Sequence, residues 1–232
     1  MKHFNNYADQ RFNGQCVYCG GNPETREHVP PKVFLDKPYP QELPVVEACR
    51  ECNQGFSKDE EYMTCLLASV IAGTTSLESI ERESISRTLA HSVKLAEKIR
   101  SAKKTIDGKI IFDVEHDRIH RVVKKIAACH VLYELNITVP KEGAVVALPI
   151  LNMSDEGISA FESIGNGELA FWPEVGSRVM QRLLEHDENY ENGWIIVQPG
   201  RYRYAVIQSE VIEVRMVFSE YLAAQVIWED VG

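Results

Sequence analysis

Four of the six cysteines stand in two Cys-x-x-Cys pairs, Cys16-Val17-Tyr18-Cys19 and Cys49-Arg50-Glu51-Cys52, and no other feature constrains the chain as strongly. Each pair has the spacing of a knuckle that wraps a tetrahedral metal, and four thiolates together form a closed structural zinc site. A rubredoxin-like iron site uses the same soft ligands, so ligand softness leaves iron as the rival and zinc as the expectation. No βαβ pattern surrounds either pair, which places a redox-active disulfide behind both. The segment that the pairs bracket is dense in Gly, Pro and Asn, as in Gly20-Gly21-Asn22-Pro23, Pro30-Pro31 and Lys37-Pro38-Tyr39-Pro40. It reads as loops and short strands with too little apolar surface to hold themselves, the usual setting of a structural metal.

Between the pairs lies Arg26-Glu27-His28-Val29-Pro30-Pro31-Lys32, and Asn53 directly follows the last cysteine of the second pair. These side chains offer chemistry of a different kind from the thiolates. Hydrolysis of a phosphodiester needs a base for the attacking water, a cation to neutralise the phosphorane, and stabilisation of the leaving oxygen. Histidine suits the first role because its pKa lies near neutrality. A divalent cation held by a carboxylate and an amide oxygen suits the other two. Glu27 and Asn53 are the candidate ligands for such a Mg²⁺ or Mn²⁺ ion, and His28 is the candidate base. Lys32 and Lys58 are candidates for contact with substrate phosphates, with solvated surface charge as the competing explanation at each.

The order Cys-x-x-Cys, Glu-His followed by Pro, then Cys-x-x-Cys-Asn resembles the HNH endonuclease superfamily. Within it, the pattern is similar to the zinc-containing ββα-metal branch, which includes a phage recombination endonuclease and many bacterial HNH proteins. The resemblance covers roughly the first quarter of the chain. It implies two strands and a helix around the metal, with Cys16, Cys19, Cys49 and Cys52 on structural zinc. It also implies Glu27 and Asn53 on the catalytic metal and His28 as general base. Glu27 stands where the family usually has Asp, and Ser57–Tyr62 lacks the late His of many members, so the third ligand of the catalytic metal stays open.

Outside this region the pattern is one of ordinary elements. Ser57 and Glu60 fit a capping box, which predicts a helix from about Lys58 with Asp59, Glu60 and Glu61 in its acidic first turn. Further helices are expected over about Leu77–Lys103 and Asp117–Leu135, with a short strand at Lys109–Val114. Beyond Asn136, antiparallel strands are expected at Gly143–Ile150, Leu169–Trp172, Trp194–Gln198, Tyr202–Gln208 and Val211–Phe218, with a short helix at Gly176–His186. Arg118, Arg121, Lys124 and Lys125 read as the solvated face of an amphipathic helix. Cys65, Cys129 and His130 read as core residues.

The fold expected is therefore α+β: a ββα-metal zinc module over residues 1–62, then an α+β domain over 63–232 made of helices and a mostly antiparallel sheet. The function expected is an HNH endonuclease that hydrolyses DNA, with RNA still open. The rival is a non-catalytic zinc module, an inactive HNH descendant, that presents a surface to nucleic acid or a protein partner. A net charge of −9 argues against a protein that coats nucleic acid non-specifically, because such affinity comes from Lys and Arg. It leaves room for a nuclease, whose metal supplies local positive charge. A homodimer would suit symmetric double-strand cutting. The N-terminus lacks the apolar stretch of a secretory signal and no apolar run approaches a membrane span, so the cytoplasm is the expected location.

Overall fold

The computed structural model describes residues 14–41, 43–164 and 190–229. Contacts divide the chain into two compact units. One joins the residues up to Gly55 with those from Val123 onward, and the other is Phe56–Val122. The class is α+β, as expected.

In the first unit, β1 (Thr25–His28) pairs antiparallel with β2 (Val45–Ala48), and α1 (Arg50–Ile71) begins two residues later. This is the strand–strand–helix order that the resemblance implies. The helix starts eight residues earlier than the capping box at Ser57 suggests. Its first turn is capped instead by the knuckle and its neighbours. Cys49 Sγ accepts the Cys52 N–H at 3.4 Å, and Glu24 Oε2 accepts the Arg50 N–H at 3.0 Å. A side-chain acceptor for these first N–H groups is what a helix start requires. Gly55, a weak helix former inside the first turns, is why the sequence reads as loop there. Asp59 and Glu60 are consequently not first-turn acids but buried residues in the helix interior.

The main sheet has six antiparallel strands in the order β5-β10-β9-β8-β7-β6. These are β5 (Ala144–Pro149), β6 (Tyr190–Glu191), β7 (Trp194–Gln198), β8 (Tyr202–Gln208), β9 (Ile212–Phe218) and β10 (Leu222–Trp228). Register places Tyr202, Tyr204 and Val206 beside Phe218, Met216 and Val214, and these beside Leu222, Ala224 and Val226. Alternation directs this set to one face, and all but Leu222 are buried. The part of α4 (His116–Leu135) that belongs to this unit covers it. His130 stacks on Tyr204 at 3.5 Å between ring centroids and meets the Tyr202 hydroxyl at 2.7 Å, and Tyr204 donates to Glu134. The other face is mixed. Phe161 of α5 (Asp155–Glu162) packs with Trp194, Ala205, Val217 and Ala223, while Arg203 and Arg215 find carboxylates there. β10 and α5 go beyond the elements expected from the sequence. The Leu169–Trp172 strand and the Gly176–His186 helix lie outside the described residues.

The second unit holds the remainder of α1, then α2 (Glu83–His91), α3 (Val93–Ala102) and a hairpin of β3 (Lys103–Ile106) with β4 (Lys109–Phe112). The single helix expected over 77–103 is therefore broken. A straight helix advances about 100° per residue and would turn Ile80 and Ile85 to nearly opposite sides. Both are buried, so the chain interrupts the helix. The hairpin turn is Asp107-Gly108, both at positive φ, a pair that favours a two-residue turn. Arg121 is exposed, as expected, whereas Arg118 is largely covered. They grip the buried Asp59 at 2.6 and 2.8 Å, and Arg118 also lies over the Tyr62 ring at 4.2 Å. Burial pushes the Cys65 thiol up to about 12, consistent with an inert core residue. No helix among the described residues is long and apolar enough to cross a membrane.

The turn from β6 to β7 is Asn192-Gly193, with φ of 49° and 87°. A Cβ on Gly193 would sit 2.5 Å from the Ile164 side chain. Gly193→Ala is expected to destabilise the first unit by about 1–3 kcal/mol in chemical denaturation, through backbone strain and overpacking together. An unchanged midpoint would show that the turn relaxes freely.

Candidate metal centre

The knuckle at Cys16 closes on its own backbone. Cys16 N–H donates to Gly21 O at 2.7 Å, and Gly20 N–H to Cys16 O at 2.8 Å. Gly20 takes a φ of 70°, which a side chain would resist. The second knuckle runs from the end of β2 into the first turn of α1. Val17 N–H donates to Glu47 O at 3.0 Å and Glu24 N–H to Ala48 O at 3.1 Å, so the two knuckles are held against one another by strand-like bonds.

These bonds bring four sulfurs together. The Sγ atoms of Cys16, Cys19, Cys49 and Cys52 all lie within 4.8 Å of one another. Cys19 and Cys49 are 3.8 Å apart. A tetrahedral ion with bonds of about 2.3 Å to sulfur sets its ligands about 3.8 Å apart. The donor set therefore fits a thiolate-bound ion, and these four residues could hold one. Among the described residues, no other group of three or more His, Cys, Asp or Glu side chains lies close enough to share an ion.

The protonation of the thiols points the same way. For Cys16, burial pushes the thiol up, but hydrogen bonds from the backbone of Cys49, Tyr18 and Cys19 outweigh it and leave it at about 7. Cys52 is pushed well up, first by burial and then by the neighbouring thiols Cys49 and Cys19. Cys19 is also raised, since its contacts with Cys16 and Cys49 outweigh the backbone N–H of Gly21. Without a cation one sulfur ionises readily and its neighbours resist following it, and a dication removes that resistance.

The other candidates divide. Asn53 sits in the first turn of α1, and its Nδ2 donates to Thr25 Oγ1 at 3.1 Å. Thr25 in turn donates to Ala48 O at 2.8 Å. Thr25 and Glu27 share a face of β1, so Asn53 is tied to the strand face that carries Glu27. Glu27 is buried, and its carboxylate meets Lys125 of α4, with Nζ 3.1 Å from Oε2. Lys125 is buried as well, which corrects its reading as a solvated charge. His28 is the last residue of β1, half-buried and opposite Val45. Lys32 begins a 3-10 turn, with its ammonium 5.5 Å from the Tyr39 ring centroid. Lys58, in the second unit, is exposed, and its carbonyl accepts from Arg118 at 2.6 Å.

Glu27 therefore does not fit a catalytic divalent ion as it stands, because a buried ammonium already balances its charge. Lys125 is also held from its other side. Its Nζ is 5.9 Å from the Tyr18 ring centroid, and the Tyr18 hydroxyl meets Cys129 Sγ at 3.1 Å, one helical turn after Lys125. Lys125, Tyr18, Cys129 and Thr25 are site residues that the sequence reading did not select. The signal for Lys125 was its place three residues after Val122 and four before Cys129, along the border of the apolar stripe.

Two outcomes follow. Glu27→Gln should cost about 3–5 kcal/mol by leaving the Lys125 charge buried alone, and adding Lys125→Met should recover most of it in urea melts. Two equal losses that simply add would show that the pair is not coupled. Metal uptake at pH 7 should release at least the Cys19 and Cys52 protons, as read with an indicator dye in weak buffer, and affinity should fall as pH falls. No protein-family profile matches the chain, and no curated protein or solved structure does either.

Proposed function

We propose that the chain is a zinc-stapled HNH-type endonuclease that hydrolyses phosphodiester bonds in DNA. The observation that carries this reading is the arrangement at the N-terminal end. Glu27 and His28 close the first strand of an antiparallel pair, the second strand leads into the Cys49 knuckle, and Asn53 in the next turn of helix bonds back to β1. The zinc at Cys16, Cys19, Cys49 and Cys52 is structural. A closed four-thiolate site offers no open position for substrate.

In this reading His28 takes the proton from the attacking water, and the water oxygen forms a bond to phosphorus as the bond to the leaving 3′ oxygen breaks. A Mg²⁺ or Mn²⁺ ion belongs to the same reading as the charge that the phosphorane requires. Glu27 and Asn53 are the oxygen donors that the resemblance assigns to it, and Glu27 is not presented to it while Lys125 holds the carboxylate. Lys32, five residues beyond Glu27, and Lys58 are the side chains proposed to meet substrate phosphates.

A specific observation also favours a second reading, a zinc module that binds nucleic acid or protein without cutting. The buried Glu27–Lys125 pair leaves the assigned carboxylate satisfied inside the protein. Cleavage separates the two readings. Plasmid incubated with the zinc-loaded protein and Mg²⁺ or Mn²⁺ should be nicked or linearised. EDTA should stop the reaction, and His28→Ala should lower the rate by roughly 10²–10⁴-fold with zinc content unchanged. Intact plasmid, single-stranded DNA, branched DNA and RNA under all conditions would leave the binding module.

A further inference from the structure

A carboxylate that serves a divalent ion must present an oxygen that the ion can reach. Glu27 does not. Its side chain is 8% exposed, that of Lys125 is 1% exposed, and the ammonium lies 3.1 Å from the carboxylate. The ammonium is fixed from several directions. It sits on the Tyr18 ring within the first knuckle, and α4 is secured to the same Tyr18 through Cys129. A dication added to Glu27 would come against this ammonium in a buried setting, where like charges repel strongly.

We propose that Lys125 is a resident counterion that holds Glu27 closed to divalent cations, so that the protein rests in a cation-free state at this site. Entry of a divalent ion through Glu27 requires Lys125 to withdraw. Because Tyr18 lies inside the Cys16 knuckle, that withdrawal is resisted by the same fold that the thiolate-bound ion stabilises. The inference rests on the HNH reading for the role expected of Glu27, but the ion pair that carries it stands independently of that reading.

The test is Mn²⁺ binding to the full-length, zinc-loaded protein, followed by the loss of the free-ion electron paramagnetic signal and by melting temperature. Wild type, Lys125→Met and Lys125→Met/Glu27→Gln are compared. Lys125→Met should take up one Mn²⁺ per chain about tenfold more tightly than wild type, a change of the size that a neighbour of a metal ligand commonly exerts. Its melting temperature should rise with added Mn²⁺, because the ion replaces the missing charge. The double variant, which loses charge on both sides and keeps a neutral core, should bind no better than wild type. Wild type binding Mn²⁺ as tightly as Lys125→Met would overturn the proposal. So would a Lys125→Met protein that shows neither uptake nor a Mn²⁺-dependent rise in melting temperature. These readouts do not depend on cleavage. A tenfold gain in binding with no nuclease activity in any variant would sink the nuclease reading and leave this one standing.

Discussion

The convergence of four sulfurs is the constraint on which the N-terminal region depends. The segment from Cys16 to Cys52 contains one pair of four-residue strands, and Val29, Phe34, Leu35, Leu43 and Val46 are among its buried apolar residues. Two such short strands leave most of the segment as loop, whose ordering costs entropy. The knuckles supply the missing organisation in two ways. They draw chain ends together around a position suited to a thiolate-bound ion, and Cys49 doubles as the acceptor that starts α1. One residue thus serves both the cluster and the helix, which fixes Asn53 close behind it.

The region between the knuckles is also secured from outside. Phe34 packs on Phe218 of β9, with ring centroids 5.1 Å apart. Gln198 bonds to the Asp36 backbone in both directions, at 2.8 and 3.0 Å, and Arg201 pairs with the Asp36 carboxylate. The loop that carries the chain from β1 to β2 is therefore seated on the six-stranded sheet. On the opposite side of the sequence, α4 contributes Lys125 and Cys129 to the knuckle and His130 and Glu134 to the sheet. The cysteine-bearing segment and the six-stranded sheet, far apart in the chain, are parts of one compact unit for this reason.

Charge inside this unit is balanced in pairs rather than exposed. Breaking a buried pair leaves a lone charge at high cost, although such pairs contribute little net stability against apolar replacements. Glu27–Lys125 is accordingly better read as specifying an arrangement than as stabilising it. It connects β1 to α4 in one register.

The strand–strand–helix order is what the family resemblance implied; the sequence by itself determined the four-cysteine set, the helix over residues 117–135 and the antiparallel strands at 194–198 and 202–208. Each of these rests on a local cause: a fixed spacing of soft ligands, a helical or twofold apolar period, or a turn such as Pro199-Gly200. Only the tertiary structure decided where α1 begins, because its first N–H is accepted by Glu24, which the fold brings in from before β1, and the next cap is a cysteine sulfur where the usual Ser or Asp is missing. Only the tertiary structure broke the helix expected over 77–103 into a 3-10 turn at Leu77–Ser79 and two helices that meet at Ser92. The environment of Glu27 was likewise invisible in the chain. Its partner lies 98 positions away, and a lysine on the border of an apolar stripe looks the same in sequence whether water or a buried carboxylate receives its charge.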